Sequence, residues 1–287
     1  MSAISPEPLT VTCSDGHSLA ATLYRPSVPK AAVMIAPATG IKRIFYHSFA
    51  EHLASQGYGV ITYENRGIGD SLQGPISRSK ASLIDWGQLD QTAILEKLKV
   101  LFPQTTYHLI GHSAGGQLVG LMKNALDLSS MFTVASSSGQ LSNMEYPFRF
   151  TANFYMNFFI PVSNLLFGHT KSQWVGMGEP LPRYAAAQWS KWCNGAGYVE
   201  VDLDTTIKEH YYREITMPSQ WLYATDDTIA NRKNVDDMLR VFPNMPAEII
   251  ALNPTELGVS DIGHMKFFSK KRNQLWAYAL DWLSTHA

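Results

Sequence analysis

Six residues in the middle of the chain, Gly111-His112-Ser113-Ala114-Gly115-Gly116, restrict the folds open to it more than any other segment. They follow Tyr107–Ile110, a short apolar run of strand character, and precede Gln117–Leu126, whose pattern predicts a helix. A serine at the tip of so tight a strand-to-helix turn takes strained backbone angles that hold its hydroxyl in the open. The positions two before and two after it must be small, because a Cβ there would strike the neighbouring strand or helix. They are Gly111 and Gly115. The following helix would aim its free N-terminal amides at the serine, where negative charge could gather. A bland Gly/Ser-rich turn leaves the strand before and the helix after unexplained.

Strand-like and helix-like segments alternate around this turn, the pattern of an α/β protein with a mostly parallel sheet. Two early strands, near Leu9–Cys13 and Ser18–Tyr24, flank Asp15-Gly16 and predict a hairpin. Ala31–Ala36, Val60–Tyr63, Tyr107–Ile110 and Phe132–Ser136 read as further strands, with helices over Tyr46–Gln56 and Ser82–Leu101. The alternation breaks from Gln140 to Thr216, an aromatic-rich stretch too long for a simple connection. It resumes with strands Gln220–Ala224 and Glu248–Leu252, a helix over Arg232–Val241 and a closing helix near Lys271–Leu283. The expected organisation is one core built from 1–139 and 217–287, carrying 140–216 as a helical cap.

A nucleophilic serine needs a base, and the base needs an orienting acid. After the aromatic stretch, Trp221-Leu222-Tyr223-Ala224 runs into Asp226-Asp227 at the C-terminal end of a strand. Ile262-Gly263-His264 follows the last strand. Ser113, Asp227 and His264 therefore fall at C-terminal strand ends, where open α/β sheets build their sites. Asp226 is the alternative acid, although an Asx residue at that place can instead hold the turn.

These segments, together with Glu64-Asn65-Arg66-Gly67-Ile68-Gly69-Asp70-Ser71, resemble the α/β-hydrolase superfamily along essentially the whole chain. The last segment is similar to that family's Arg-Gly-x-Gly-x-Ser turn. The resemblance implies the α/β-hydrolase fold: a mostly parallel eight-stranded sheet, helices on both faces, and a cap inserted after strand six. More narrowly, the chain is similar to a bacterial group of predicted serine hydrolases related to the serine aminopeptidase and monoglyceride lipase types. That group carries Pro-Ala-x-Gly after strand three, here Pro37-Ala38-Thr39-Gly40. The resemblance places the oxyanion-binding amides on Thr39 and Ala114, with Gly40 the rival of Thr39. It implies that Ser113 attacks an acyl carbon, His264 takes its proton, and Asp227 orients the imidazole.

Composition narrows the function further. Lys plus Arg number 23 against 24 Asp plus Glu, a net charge of −1, which argues against binding to nucleic acid or an anionic membrane through the overall field. Cys13 and Cys193 form no disulfide framework. Met1–Thr10 lacks the form of a secretory signal, and Phe154–Phe167 is too short and too interrupted to span a bilayer. The expectation is a cytoplasmic protein without stable membrane insertion, and a homodimer on base rates. No cofactor or metal is expected. His108 and His112 on a strand stand ~13 Å apart, and His47 and His52 diverge on a helix. Gly57-Tyr58-Gly59 is not a dinucleotide fingerprint.

Gly69-Asp70-Ser71-Leu72 with Asp261-Ile262-Gly263-His264 also spells the blocks of the GDSL esterases. Their serine follows the first strand, whereas Ser71 follows the fourth, so it is set aside. Lys171, Arg183, Lys191, Lys208 and Arg213 interrupt the cap, which disfavours a triglyceride lipase. The expected enzyme is a carboxylesterase-like serine hydrolase acting on a small or medium ester. Amidase, peptidase or acyltransferase chemistry on the same triad is the alternative, followed by a binding protein that kept only the fold. Cap aromatics such as Trp174, Trp189 and Trp192 would either line an acyl pocket over Ser113 or pack the cap.

Overall fold

Ten strands and nine α-helical segments are found among residues 5–287, which a computed structural model describes. The start of the Met1–Thr10 segment lies outside the described residues. The strands are β1 (Pro6–Thr12), β2 (Ser18–Tyr24), β3 (Ala31–Ala36), β4 (Tyr58–Tyr63), β5 (Tyr107–His112), β6 (Ser130–Val134), β7 (His169–Thr170), β8 (Leu181–Pro182), β9 (Ser219–Ala224) and β10 (Ala247–Leu252). Eight of them form one sheet in the order β1-β2-β4-β3-β5-β6-β9-β10, while β7 and β8 pair separately. β1 and β2 are antiparallel, joined through Asp15-Gly16, and β2 meets β4 antiparallel. Every pairing from β4 to β10 is parallel.

A parallel sheet must be covered on both faces, and the strand sequences obey this. All six residues of β3 are buried. Ala32, Met34 and Ala36 join one apolar cluster and Ala31, Val33 and Ile35 the other. The helices α1 (His47–Ser55) and α9 (Trp276–His286) supply the second cluster through Phe49, Leu53, Trp276 and Leu283. The first is supplied by α3 (Thr92–Leu101) and α8 (Arg232–Leu239), through Leu95, Leu98, Val235 and Met238.

Two predicted helices take other forms. Over Ser82–Leu101 the helix opens as α2 (Leu83–Asp85), capped reciprocally by Ser82 and Asp85, then widens into a π turn at Trp86–Gln91 before α3. The extra residue in that turn buries Asp90 and Gln91. After the serine turn, α4 (Ala114–Gln117) lasts a single turn, followed by 3-10 turns at Val119–Leu121 and Ala125–Asp127. The carbonyls that a longer helix needs are taken elsewhere. Tyr212 Oη donates to Gln117 O at 2.7 Å and Tyr211 N to Gly120 O at 2.6 Å. Gly120 itself faces the Tyr212 ring so closely that an added Cβ would lie 2.3 Å from it.

Between β6 and β9 lie α5 (Phe148–Phe154), a π turn at Tyr155–Phe159, α6 (Ile160–Phe167), the β7–β8 pair and α7 (Arg183–Cys193).

Candidate active site

Parallel register brings five strand ends to one edge: Ala36 lies opposite Gly111, His112 opposite Val134, Val134 opposite Leu222, and Ala224 opposite Leu252. Thr39, Ser113, Asp227 and His264 sit on the loops leaving that edge. Ser113 has φ 48° and ψ −114°, a strained conformation for a residue with a side chain. It is held there by its neighbours. Ser113 N donates to Val134 O at 3.0 Å, and Ser113 O accepts from Gly116 N at 3.0 Å and Ser136 Oγ at 2.9 Å. The flanking glycines are required as expected. A Cβ on Gly111 would come 2.5 Å from Gly116 N, and one on Gly115 would come 2.0 Å from Ala36 O.

His264 Nε2 lies 3.1 Å from Ser113 Oγ, and His264 Nδ1 lies 2.8 Å from Asp227 Oδ2. A carboxylate only accepts, so Nδ1 carries the hydrogen and neutral Nε2 is left to accept from the serine. The other Asp227 oxygen accepts Ile229 N at 2.8 Å and Ala230 N at 3.0 Å. Burial alone would raise the Asp227 carboxyl, but the His264 imidazole and these amides hold it below the ordinary range. For His264 burial acts downward and the Asp227 charge upward, and the net shift is above the ordinary value. Its side chain is 19% exposed.

The two adjacent acids have separate tasks. Asp226 accepts Ile262 N at 3.0 Å and Gly263 N at 2.9 Å, clipping down the loop that carries His264. Among the described residues neither Thr39 N–H nor Ala114 N–H donates within the chain. Ala38 N–H is used, and Gly40 O accepts Glu179 N at 2.8 Å. The Gly40 amide is likewise without an internal acceptor among the described residues.

His112, the residue before Ser113, is bonded on both ring nitrogens. His112 is buried and its Nε2 lies 2.9 Å from His264 O, which can only accept, so Nε2 carries the hydrogen. Its Nδ1 then accepts from Tyr46 Oη at 2.8 Å, and Tyr46 Oη accepts Ala38 N at 2.9 Å. Burial pushes His112 down to about 3, with the nearby His264 adding to the shift, so it stays neutral. The loop after β3 and the loop of His264 are thus joined through the residue preceding Ser113. Nothing in the sequence marks Tyr46 for this. Tyr46→Phe would leave Ala38 N–H buried and unpaired, with an expected cost of about 1–3 kcal/mol, read as a lower urea midpoint.

A second layer lies under the turn. Gln91 Nε2 donates to Gly115 O at 2.9 Å. Next to it the fully buried Asp90 accepts Arg66 Nε at 2.6 Å and Arg66 N at 2.8 Å, and Arg66 Nη1 reaches Asp15 at 2.6 Å. Burial pushes the Asp90 carboxyl up to about 7 against the pull of the guanidinium. Trp86 Nε1 donates to Arg66 O at 3.0 Å.

Ser71 is fully buried, donates to Glu64 O at 2.7 Å and accepts Ala20 N at 2.9 Å, so it braces the loop after β4. Asp261 pairs with Lys266 and Arg272. Trp192 is buried and donates to Asp202 at 2.6 Å, and Trp189 packs edge-on against Tyr155, so both support the packing reading. No group of three or more His, Cys, Asp or Glu among the described residues could hold a metal ion.

Residues 27–169 match the family described as serine aminopeptidase, S33. A monoglyceride lipase from Saccharomyces cerevisiae superposes with a TM-score of 0.73 at 15% identity, over 98% of this chain and 96% of that one. The chain has the α/β-hydrolase fold. An esterase of Pyrococcus furiosus shares this α/β-hydrolase fold with a TM-score of 0.64 at 14% identity, over 99% and 91% of the two chains. In sequence, this α/β hydrolase is 24% identical over 238 residues to a probable lysophospholipase L2 of Haemophilus influenzae, covering 72% of this chain and 68% of that protein.

Proposed function

We propose that this hydrolase cleaves carboxylic esters of a small or medium, partly apolar acyl group through Ser113, His264 and Asp227. The observation that carries the reading is the unbroken contact series from Ser113 Oγ to His264 Nε2 and from His264 Nδ1 to Asp227, on a serine held at positive φ. His264 takes the Ser113 proton as Oγ bonds to the acyl carbon. The carbonyl oxygen becomes an oxyanion facing the Thr39 and Ala114 amides, with Gly40 the rival of Thr39. His264 then gives the proton to the leaving alkoxide, and water, deprotonated by the same imidazole, releases the acid. Losing one oxyanion donor would cost about 10²–10³ in rate. Residues 140–216 serve as the cap over this edge in the same proposal. Two free, buried cysteines fit a reducing compartment such as the cytoplasm.

The test is labelling with a fluorophosphonate followed by peptide mapping. Label on Ser113 that disappears in His264→Ala supports the reading, and label on Ser71 or none at all overturns it. Amide cleavage on the same triad is a second reading, favoured by the serine aminopeptidase description of the matched family. Paired ester and anilide substrates separate the two.

The raised His264 sets the pH dependence. An imidazolium cannot accept the Ser113 proton, so kcat/KM should rise with pH as His264 loses its proton. The midpoint of that acid limb is expected above 6.5, the ordinary value of the group. An acid limb centred below it would contradict the Asp227 pairing.

A further inference from the structure

Phe148 to Phe167 form one helical run through α5, the π turn and α6. Its inner side buries Ala152, Tyr155, Met156, Ile160 and Ser163. On its outer side Phe150, Phe154, Phe158 and Leu165 are each more than half exposed. Four residues overshoot a full α turn by about 40°. The wider π turn offsets that drift, and the Phe154 and Phe158 rings stack 5.2 Å apart. The exposed apolar surface continues past the helix end, where Phe167 meets Trp174 edge-on at 5.4 Å. Contiguous exposed aromatics of this kind mark a contact surface.

The charge of the surface says what it contacts. From Tyr146 to Gly178 there is no Asp or Glu, although the whole chain carries a net −1. Glu145 and Glu179 border the stretch, and Glu179 is paired with Lys42 at 3.1 Å. The cations stand against the aromatic rings: Arg149 over Tyr146, Lys171 over Phe167 and Trp174, and Arg183 over Tyr184. We propose that this face docks on an anionic phospholipid surface, with the aromatic side of the helix in the interface and Arg149, Lys171 and Arg183 against the headgroups. An apolar stripe edged by cations is the composition of helices that lie in a membrane interface. Among the described residues no helix is long and apolar enough to cross a membrane, so the helix lies on the bilayer. A second copy of the chain fits less well, because a two-fold contact would set these cations against their own images.

Sedimentation with phosphatidylcholine vesicles, with and without phosphatidylglycerol, tests the proposal on the full chain. The chain is expected to sediment with the anionic vesicles, less so as salt is added, with a blue shift of emission that is lost in Trp174→Phe. Lys171→Gln should lower partitioning about fivefold. The double variant Phe154→Asp with Phe158→Asp should lower it about tenfold or more, with the melting temperature kept. Binding independent of anionic lipid, binding unchanged in the double variant, or no binding would overturn the proposal. So would a wild-type dimer that the double variant dissolves. None of these readouts needs turnover, and repeating them in Ser113→Ala keeps the outcome separate from that of the proposed hydrolysis.

Discussion

Ser113→Ala is expected to lower kcat for an activated ester by about 10⁶, with KM little changed. His264→Ala should fall to about the same level, and the double variant no further, because each removes the same proton-coupled attack. Asp227→Asn should cost about 10⁴. Its amide can present a donor to Nδ1, which favours the wrong imidazole tautomer. Asp226→Asn should cost much less, since one amide oxygen still accepts from Ile262 N or Gly263 N. Steady-state kinetics on the four single variants and the double separates these outcomes. Equal losses at Asp226 and Asp227 would contradict the division of tasks between them.

The second large effect concerns stability. Arg66→Met leaves Asp90, with no exposed surface, facing only a distant Cys13 thiol at 3.6 Å and the Arg66 backbone amide. Breaking one side of a buried pair typically costs about 3–5 kcal/mol. The penalty should grow with pH. Without the guanidinium, burial holds the folded-state pKa of Asp90 above its unfolded value, so the folded state binds the extra proton. Stability is then greatest at low pH and declines as pH rises through the folded-state pKa. Denaturant midpoints across that range check the sign. Adding Asp90→Leu to Arg66→Met should recover part of the loss, because it removes the stranded charge.

Much of the site was legible because its rules are short-ranged. A serine at positive φ needs glycine on both sides, and strand–turn–helix order places it at a sheet edge, so Ser113 stands out within six residues. Asp227 and His264 were legible by their places after late strands. Their pairing across 37 residues and the pairing of His264 with Ser113 across 151 emerge only in three dimensions. The relay from Ala38 through Tyr46 and His112 to His264 has no local signature, since each member looks like a core residue. The π turn at Trp86–Gln91 escaped because hydrophobic periodicity assumes 3.6 residues per turn, and one extra residue shifts the phase without changing the composition. The helix expected over Gln117–Leu126 failed for a related reason: the Tyr211 amide and Tyr212 hydroxyl that take its carbonyls lie about 90 residues away.

The hydrogen bond from Glu179 N to Gly40 O has a practical meaning for anyone recombining this chain with its relatives. A chimera that exchanges everything between β6 and β9 also discards the donor that steadies the turn next to Thr39, along with the ion pair from Glu179 to Lys42. The crossover points would need to leave residues 178–181 with the parent scaffold, or the donor segment would have to bring its own backbone N–H to that carbonyl. The segment proposed as the cap could then be exchanged while the turn that carries the proposed Thr39 oxyanion donor is kept.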